Sequence, residues 1–207
     1  MALPSLPGST RNGHTGDRRS ALRLRSILVL TLALPLQAQA ERYTLDTEHS
    51  LPAFEVNHLG FSTQRGRFDR VQGQIELDLV NGNGTVEFII DAASISMGSE
   101  RWNTHLKGED WFDVARYPEI RFSATALTFS DGVPVGAKGE LTLRGTQRPV
   151  SLTISHFHCG IQPILKKPVC AGDIEAHLKR SDFGMIRYLP GVGDDIAVHV
   201  PVEAYRE

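Results

Sequence analysis

Residues 43–68 read YTLDTEHSLPAFEVNHLGFSTQRGRF, and the centre of this stretch decides the fold class. From Phe54 to Leu59, bulky side chains alternate with polar ones, which is the period of a strand with one face toward a core and the other toward water. Val56 and His58 share the predicted inner face with Phe54. The imidazole in that row is either a core histidine bonded to the backbone or a polar group inside a cavity. The alternation alone leaves both interpretations open.

The strand pattern continues through most of the chain after Glu41. Turn signals separate the alternating segments, and residues 81–84, NGNG, form a strong hairpin signal. A barrel or a sandwich is consistent with this pattern. We predict one all-β antiparallel domain, residues 41–207, built as an eight-stranded barrel, because closure removes the edges that terminal strands would expose. Besides 54–59, the predicted strands are 73–79, 86–92, 120–124, 137–143, 150–155, 171–179 and 196–202.

One segment interrupts the strands. Residues 98–107, GSERWNTHLK, place Trp102 and Leu106 four positions apart, and Ser99 precedes them as a plausible N-cap. We therefore predict a short helical insertion that runs on to a second turn around Trp111.

The first 40 residues have the features of a signal peptide. Arginines precede an apolar run at residues 27–34, and a small-x-small pattern ends at Ala40. The run is too short to span a bilayer, which takes about 20 residues. We expect cleavage after Ala40 and export to the periplasm. The general secretory route is favoured over the twin-arginine route, because no aromatic residue follows Arg18-Arg19.

The charge of the exported part excludes some partners. Removing the leader takes away five arginines and one aspartate, which leaves 17 basic and 23 acidic residues and a net charge of −6. Such a surface has no electrostatic reason to bind nucleic acid or anionic lipid. We expect no nucleic-acid partner.

The chain has two cysteines, Cys159 and Cys170, and both lie in the exported part. An oxidising compartment favours a disulfide between them, with two free thiols as the alternative. The bridge would close a loop of about ten residues and stabilise the fold by about 2–3 kcal/mol.

Catalytic and metal-binding signatures are scarce. The sequence contains no G-x-S-x-G, no H-E-x-x-H, no phosphate-binding loop and no dinucleotide fingerprint. His156 and His158 are two positions apart, which on a strand puts them on the same face, but no third ligand lies nearby in sequence. We expect no catalytic residues, no metal and no resident cofactor.

An ordered set of motifs between Tyr43 and Glu203 resembles the YceI-like family, whose members are exported lipocalin-like barrels associated with polyisoprenoids and other long-chain amphiphiles. One departure is Trp111, where the family often has phenylalanine, and the larger indole can narrow a ligand channel. The matching residues are Tyr43-Thr44-Leu45-Asp46, His49-Ser50, Phe54-x-Val56-x-His58-Leu59-Gly60-Phe61, Gly66-x-Phe68, His105-Leu106-Lys107, Trp111-Phe112-Asp113, Tyr117-Pro118-x-Ile120-x-Phe122, Gly139-Glu140-Leu141-Thr142-Leu143-Arg144-Gly145, Pro149-Val150, Lys179-Arg180-Ser181-Asp182-Phe183-Gly184-Met185 and Asp194-Asp195-Ile196.

The resemblance implies a hollow barrel, whereas composition alone favours a filled core. It implies a non-catalytic periplasmic carrier that sequesters a long-chain isoprenoid or a similar amphiphile, such as a quinone-like or fatty molecule, in an apolar tunnel. The expected lining residues are Phe54, Val56, Phe61, Leu106, Trp111, Phe112 and Phe122. The expected mouth residues, where an anionic head group needs a donor, are Asn57, His58, Arg67 and Arg187.

Two other functions remain open from the sequence. One is an enzyme that acts on an isoprenoid-like substrate, with His58 or the region of His105 supplying acid–base chemistry. The other is a lipid-dependent adaptor for a membrane redox or stress-response partner, which implies transient contact with a membrane or a membrane protein. A homodimer through an exposed strand edge is a further expectation.

Overall fold

The computed structural model describes residues 40–207, and their backbone is mostly β-strand. Apart from Ala40, the predicted signal peptide lies outside the described residues. One α-helix, α1 (Glu100–Lys107), and two short 3-10 helices, Ala92–Ser94 and Arg180–Phe183, interrupt the strands. The strands are β1 (Glu41–Leu45), β2 (Ala53–His58), β3 (Ser62–Phe68), β4 (Val71–Asp78), β5 (Asn83–Asp91), β6 (Ile95–Ser96), β7 (Glu119–Ala124), β8 (Leu127–Ser130), β9 (Val133–Leu143), β10 (Thr146–Ile161), β11 (Pro168–Lys179) and β12 (Val192–Arg206).

Eight of the strands close into a ring, which confirms the predicted barrel. Their order is β1-β4-β5-β7-β9-β10-β11-β12, all neighbours are antiparallel, and β12 pairs back onto β1 with Tyr43 opposite Arg206. The hydrogen-bonded ring therefore leaves none of these eight strands as a free edge.

The long strand β12 pairs with β11 along one edge and with both β1 and β2 along the other. Its last residues pair with β1, where Ala204 lies opposite Leu45. Its first half pairs with β2, where Ala197 lies opposite Glu55. From β2 the sheet continues through β3 to the two-residue strand β6. Strands β2 and β3, which contain the centre of the opening stretch, thus form a side branch attached to one end of the ring.

Alternation along the strands separates the interior from the surface. On β7, Ile120, Phe122 and Ala124 are buried, while the residues between them are exposed. The Phe122 ring lies against the backbone of Gly139, where a Cβ atom would come within 2.5 Å of its Cζ atom. A large ring and a glycine on neighbouring strands therefore pack together.

The helical insertion is confirmed at residues 100–107. Ser99 occupies the N-cap position, but its side chain makes no capping hydrogen bond. Leu106 is the buried residue of the helix, and the backbone N–H of Trp111 bonds to the carbonyl of Gly108 in the turn that follows. Within residues 40–207, no helix is long and apolar enough to cross a membrane.

The two cysteines form the predicted disulfide. Cys159 on β10 and Cys170 on β11 lie directly opposite each other in the strand pairing, and their sulfur atoms are bonded. The bridge holds the β10–β11 hairpin together close to its turn.

Replacing both cysteines by serine is expected to lower the free energy of unfolding by about 2–3 kcal/mol, because the unfolded chain regains the freedom of the closed loop. Urea unfolding with and without a reductant measures this difference. Reductant should shift the midpoint of the wild type and leave that of the double variant unchanged. A wild-type midpoint that is the same with and without the reductant would contradict the prediction.

Candidate functional site

The barrel encloses an apolar cavity of about 410 Å³. This volume is in the range of cavities that bind small molecules, about 300–1,000 Å³. Aliphatic side chains from alternate positions of β11 and β12 form much of its wall. The barrel is therefore hollow, as the family resemblance implies. Composition alone favoured a filled core. These wall residues are Ile174, Ala176, Leu178, Val198, Val200 and Val202.

Most of the predicted lining residues do line the cavity. The exception is Phe61, whose side chain is 91% exposed. Strand β2 ends at His58, and residues 59–61 form a turn, so the alternation that placed Phe61 inside stops before it. The predicted residues found in the cavity wall are Phe54, Val56, His58, Leu106, Trp111, Phe112 and Phe122.

The other three residues predicted for the mouth lie outside the cavity wall. Asn57 is the outward neighbour of His58 on β2, and its Oδ1 atom accepts a hydrogen bond from the N–H of Gly60. The Nε atom of Arg67 donates to Asp69. Arg187 stacks on Tyr188 instead, with its guanidinium 4.9 Å from the ring centroid. Strand alternation puts Asn57 and Arg67 on the solvent side of the sheet. The prediction of mouth residues considered only their ability to donate to an anionic head group.

Three phenylalanine rings form one side of the cavity. The ring centroids of Phe54 and Phe68 are 6.0 Å apart, and those of Phe68 and Phe112 are 5.3 Å apart in an edge-to-face arrangement. The ring of Phe54 packs across the backbone of Gly66 on β3. A Cβ atom added at Gly66 would lie 2.5 Å from Cζ of Phe54. Gly66 therefore makes room for the ring, and the contacts of Phe112 attach the segment after α1 to β2 and β3.

A chain of aromatic rings borders the mouth of the cavity. His58 contacts Trp102 edge-to-face, with 6.0 Å between ring centroids. Trp102 contacts His105 at 6.1 Å, and His105 contacts Trp111 at 5.7 Å, in the same way. The indole N–H of Trp111 donates to Nε2 of His105 over 2.9 Å. Nε2 of His105 is therefore the acceptor in this contact, which leaves Nδ1 as the ring nitrogen that carries the proton.

His58 lines the cavity and is half-buried. Its ring makes no hydrogen bond to another residue in the described range 40–207. This placement supports the interpretation of His58 as a polar group of the cavity, not as a core histidine bonded to the backbone.

The structure adds one charged residue that the sequence argument did not select. Arg180 lines the cavity and is only 2% exposed. Its guanidinium lies 5.3 Å from the centroid of the Trp111 ring. A signal for it was present, since Arg180 continues the inward positions 174, 176 and 178 of β11.

The Arg180 guanidinium is surrounded by backbone carbonyl groups. It donates to the carbonyls of Gly193 at 2.8 Å, Val192 at 2.8 Å and Arg187 at 3.0 Å, and also to that of Met185. Burial lowers the pKa of Arg180, and the nearby carboxylate of Asp194 opposes this shift in part. Arg180 therefore holds residues 185–193 in place beside the mouth.

Asp46, His49 and Glu203 form the one described cluster with the spacing of a metal site, their ligand atoms lying within 4.8 Å of one another. Asp46 accepts hydrogen bonds from the N–H groups of Glu48 and His49 and lies 2.8 Å from the His49 ring. Burial raises the pKa of Asp46, but these hydrogen bonds outweigh it and the pKa is lowered. The hydrogen bond to Asp46 raises the pKa of His49. The turn accounts for the cluster without an ion.

The two histidines considered for metal binding in the sequence are both exposed, with half-buried Phe157 between them, and they lie at an irregularity of the sheet. The pairing of β10 with β11 shifts register between Ser155 and His158, and His156 has a positive φ of 52°. His156 instead lies 3.0 Å from the carboxylate of Asp173.

An eight-stranded antiparallel barrel around an apolar cavity defines the class of lipocalin-like β-barrels. The family model of the YceI-like domain matches residues 43–204, and the chain belongs to this family. A UPF0312 protein of Vibrio parahaemolyticus is 30% identical over 139 residues, which cover 66% of this chain and 74% of that protein.

Solved structures share the fold at lower sequence identity. BcnA of Burkholderia cenocepacia superposes with a TM-score of 0.66 at 23% identity, covering 77% of this chain and 98% of that chain. A YCEI protein of Campylobacter jejuni gives 0.62 at 23% identity, with 73% and 90% covered. A polyisoprenoid binding domain from Saccharophagus degradans, implicated in plant cell wall breakdown, gives 0.57 at 16% identity, with 80% and 98% covered. At these identities the likeness establishes the fold.

Proposed function

We propose that the protein binds a long-chain isoprenoid or a similar amphiphile in the barrel cavity and carries or sequesters it in the periplasm without chemical change. The observation that carries this proposal is the apolar cavity of about 410 Å³. Membership of the YceI-like family and the likeness to a polyisoprenoid binding domain suggest a binding protein and support the ligand class.

The distribution of polar groups orients such a ligand. Deep in the cavity, the hydroxyl of Ser50 is already bonded to the backbone of Glu203. At the mouth, His58 and the Nδ1–H of His105 remain for a polar head group. Each buried methylene contributes about 0.8 kcal/mol before the cost of ordering the ligand. The apolar tail would therefore lie inside the barrel and the polar head between the two imidazoles.

Three features support export. The first 40 residues combine arginines, a short apolar run and a small-x-small site. Strand β1 begins at Glu41, directly after the predicted cleavage position. The disulfide between Cys159 and Cys170 is typical of an oxidising compartment.

A binding role also fits the chemistry of the side chains around the cavity. Both cysteines are bridged, so neither supplies a thiol nucleophile. The Nε2 atom of His105 is engaged by the indole of Trp111, which leaves this imidazole a poor general base at that atom.

Native mass spectrometry of the protein exported by a bacterial host tests the proposal. We expect a non-covalent adduct that organic extraction releases as a long-chain amphiphile, and a stripped protein that takes up a fluorescent long-chain probe with one-site saturation. The extracted molecule should have the same mass before and after incubation with the protein. A ligand-free protein that cannot be saturated, or turnover of the bound molecule, would overturn the proposal.

A further inference from the structure

We propose that the rim of the cavity docks onto a lipid bilayer and inserts apolar side chains into it. The rim patch consists of Leu59, Phe61, Trp102, Ile186 and Tyr188. This inference rests on the proposed function, because a bilayer is the apolar medium from which a long-chain ligand would enter the cavity.

The rim patch is assembled from three segments of the chain. Leu59 and Phe61 belong to the β2–β3 turn, Trp102 to α1, and the other two residues to the segment before β12. The N–H of Leu59 bonds to the carbonyl of Gly191 over 2.9 Å, which joins the first segment to the third. The contact of Trp102 with His58, 6.0 Å between ring centroids, joins the helix to β2.

All five side chains are exposed, and three of them also line the cavity. Phe61 is 91% and Ile186 65% exposed, while the others are about half exposed. Leu59, Trp102 and Tyr188 belong to the cavity wall as well. The apolar surface therefore continues from the outside of the molecule into the barrel, so a surface pressed against the rim would also meet the cavity opening.

The size and composition of the rim patch favour a bilayer over a second protein copy. The exposed fractions amount to about three whole side chains, on the order of 500 Å² at roughly 150–250 Å² for each large side chain. A standard protein interface buries about 800 Å² per partner. Tryptophan and tyrosine are enriched where proteins meet the membrane–water interface, and the patch contains one of each.

Two arginines near the rim are paired with carboxylates. Arg65 lies 2.6 Å from Glu55, and Arg187 lies 3.8 Å from Asp110. The exported part carries a net charge of −6. Docking would therefore depend on apolar insertion, and we expect it to be insensitive to salt and to need no anionic lipid.

The β10–β11 turn offers a matched control surface. Ile164 and Leu165 are also exposed, and Gln162 Oε1 accepts hydrogen bonds from both of their N–H groups. Strand β11 begins after this turn and ends beside Arg180 at the cavity, a distance of about 36 Å along the strand. An apolar surface of similar character thus lies far from the rim.

The test uses the exported protein and vesicles of phosphatidylcholine, with and without phosphatidylglycerol. In flotation, the wild type should bind both kinds of vesicle within twofold of each other, at low salt and in 0.5 M salt, where the Debye length is about 4 Å. The variant Phe61→Ser/Ile186→Ser should bind at least tenfold less, and Ile164→Ser/Leu165→Ser should bind like the wild type. Brominated lipid should quench the fluorescence of Trp102 in Trp111→Phe, where Trp102 is the remaining tryptophan.

Three results would overturn docking through the rim: equal binding by the rim variant, loss of binding in the turn variant, or a wild-type dimer that the rim variant dissociates. Uptake of the fluorescent long-chain probe from solution separates this inference from the proposed function. If the protein took up the probe but did not bind vesicles, docking alone would be refuted. A protein that binds vesicles through the rim but takes up no probe would refute the proposed function alone.

Discussion

Arg180→Ala is expected to lower the free energy of unfolding by about 3–5 kcal/mol. The guanidinium is buried and bonds to four backbone carbonyls, three of them in residues 185–192 and the fourth at Gly193. Alanine leaves these acceptors without donors in a place that water does not reach freely. It also removes the cation that packs on the Trp111 ring. Urea unfolding at constant pH measures the loss.

Two further variants separate this network from a general effect of removing an arginine. Arg180→Lys keeps the charge but has three donors instead of five, so it should recover only part of the stability. Arg121→Ala removes an exposed arginine that pairs with Glu119 at 2.5 Å, and it should change the stability by less than about 1 kcal/mol. If Arg180→Ala changed the stability as little as Arg121→Ala, the proposed structural role of Arg180 would be wrong.

Ala176→Trp is expected to weaken binding of a long-chain probe at least tenfold while the fold is kept. Ala176 lies on β11 between Leu152 of β10 and Val198 of β12, and all three line the cavity. An indole at this position occupies space that a ligand tail would need. In a densely packed core, inserting even a few methylenes destabilises the fold by about 1–3 kcal/mol, and an indole costs more, so the cavity should make this change far better tolerated. Probe titration and thermal unfolding measure the two effects.

The matched control for this variant is His177→Trp. His177 is the next residue on β11 and is exposed, so its side chain lies on the opposite face of the strand. The affinity of this variant for the probe should stay within twofold of the wild type. Equal affinities for both tryptophan variants and the wild type would show that the ligand does not occupy the cavity at this level.

The sequence predicts the features that follow from local rules. Alternation from Phe54 to His58 and from Ile120 to Ala124 identified strands whose inner residues are in the cavity wall or the core. The spacing of Trp102 and Leu106 predicted the helix that interrupts them. In each case the side-chain period matches the geometry of a single element, so no knowledge of distant contacts was needed.

Features that depend on contacts between elements were not predictable in this way. Phe61 fell outside the cavity because the chain turns after His58, and periodicity does not report where a strand ends. Arg180 was passed over because an arginine is expected at the surface, although its phase on β11 is inward. Two of the carbonyls that bind it, those of Met185 and Arg187, come from a segment without periodicity, and the other two lie at the start of β12. The empty volume of the barrel depends on how side chains of many strands meet.

The closing pair of the ring, β1 and β12, joins the two ends of the domain. The hydroxyl of Thr44 donates to the carboxylate of Glu207 over 2.8 Å across a separation of 163 residues. One edge of β1 therefore stays unpaired until β12 reaches it in the folding chain. Until then the forming sheet has unpaired strand edges, which can pair with other chains. A variant that lacks the last few residues of β12 would keep this edge of β1 unpaired.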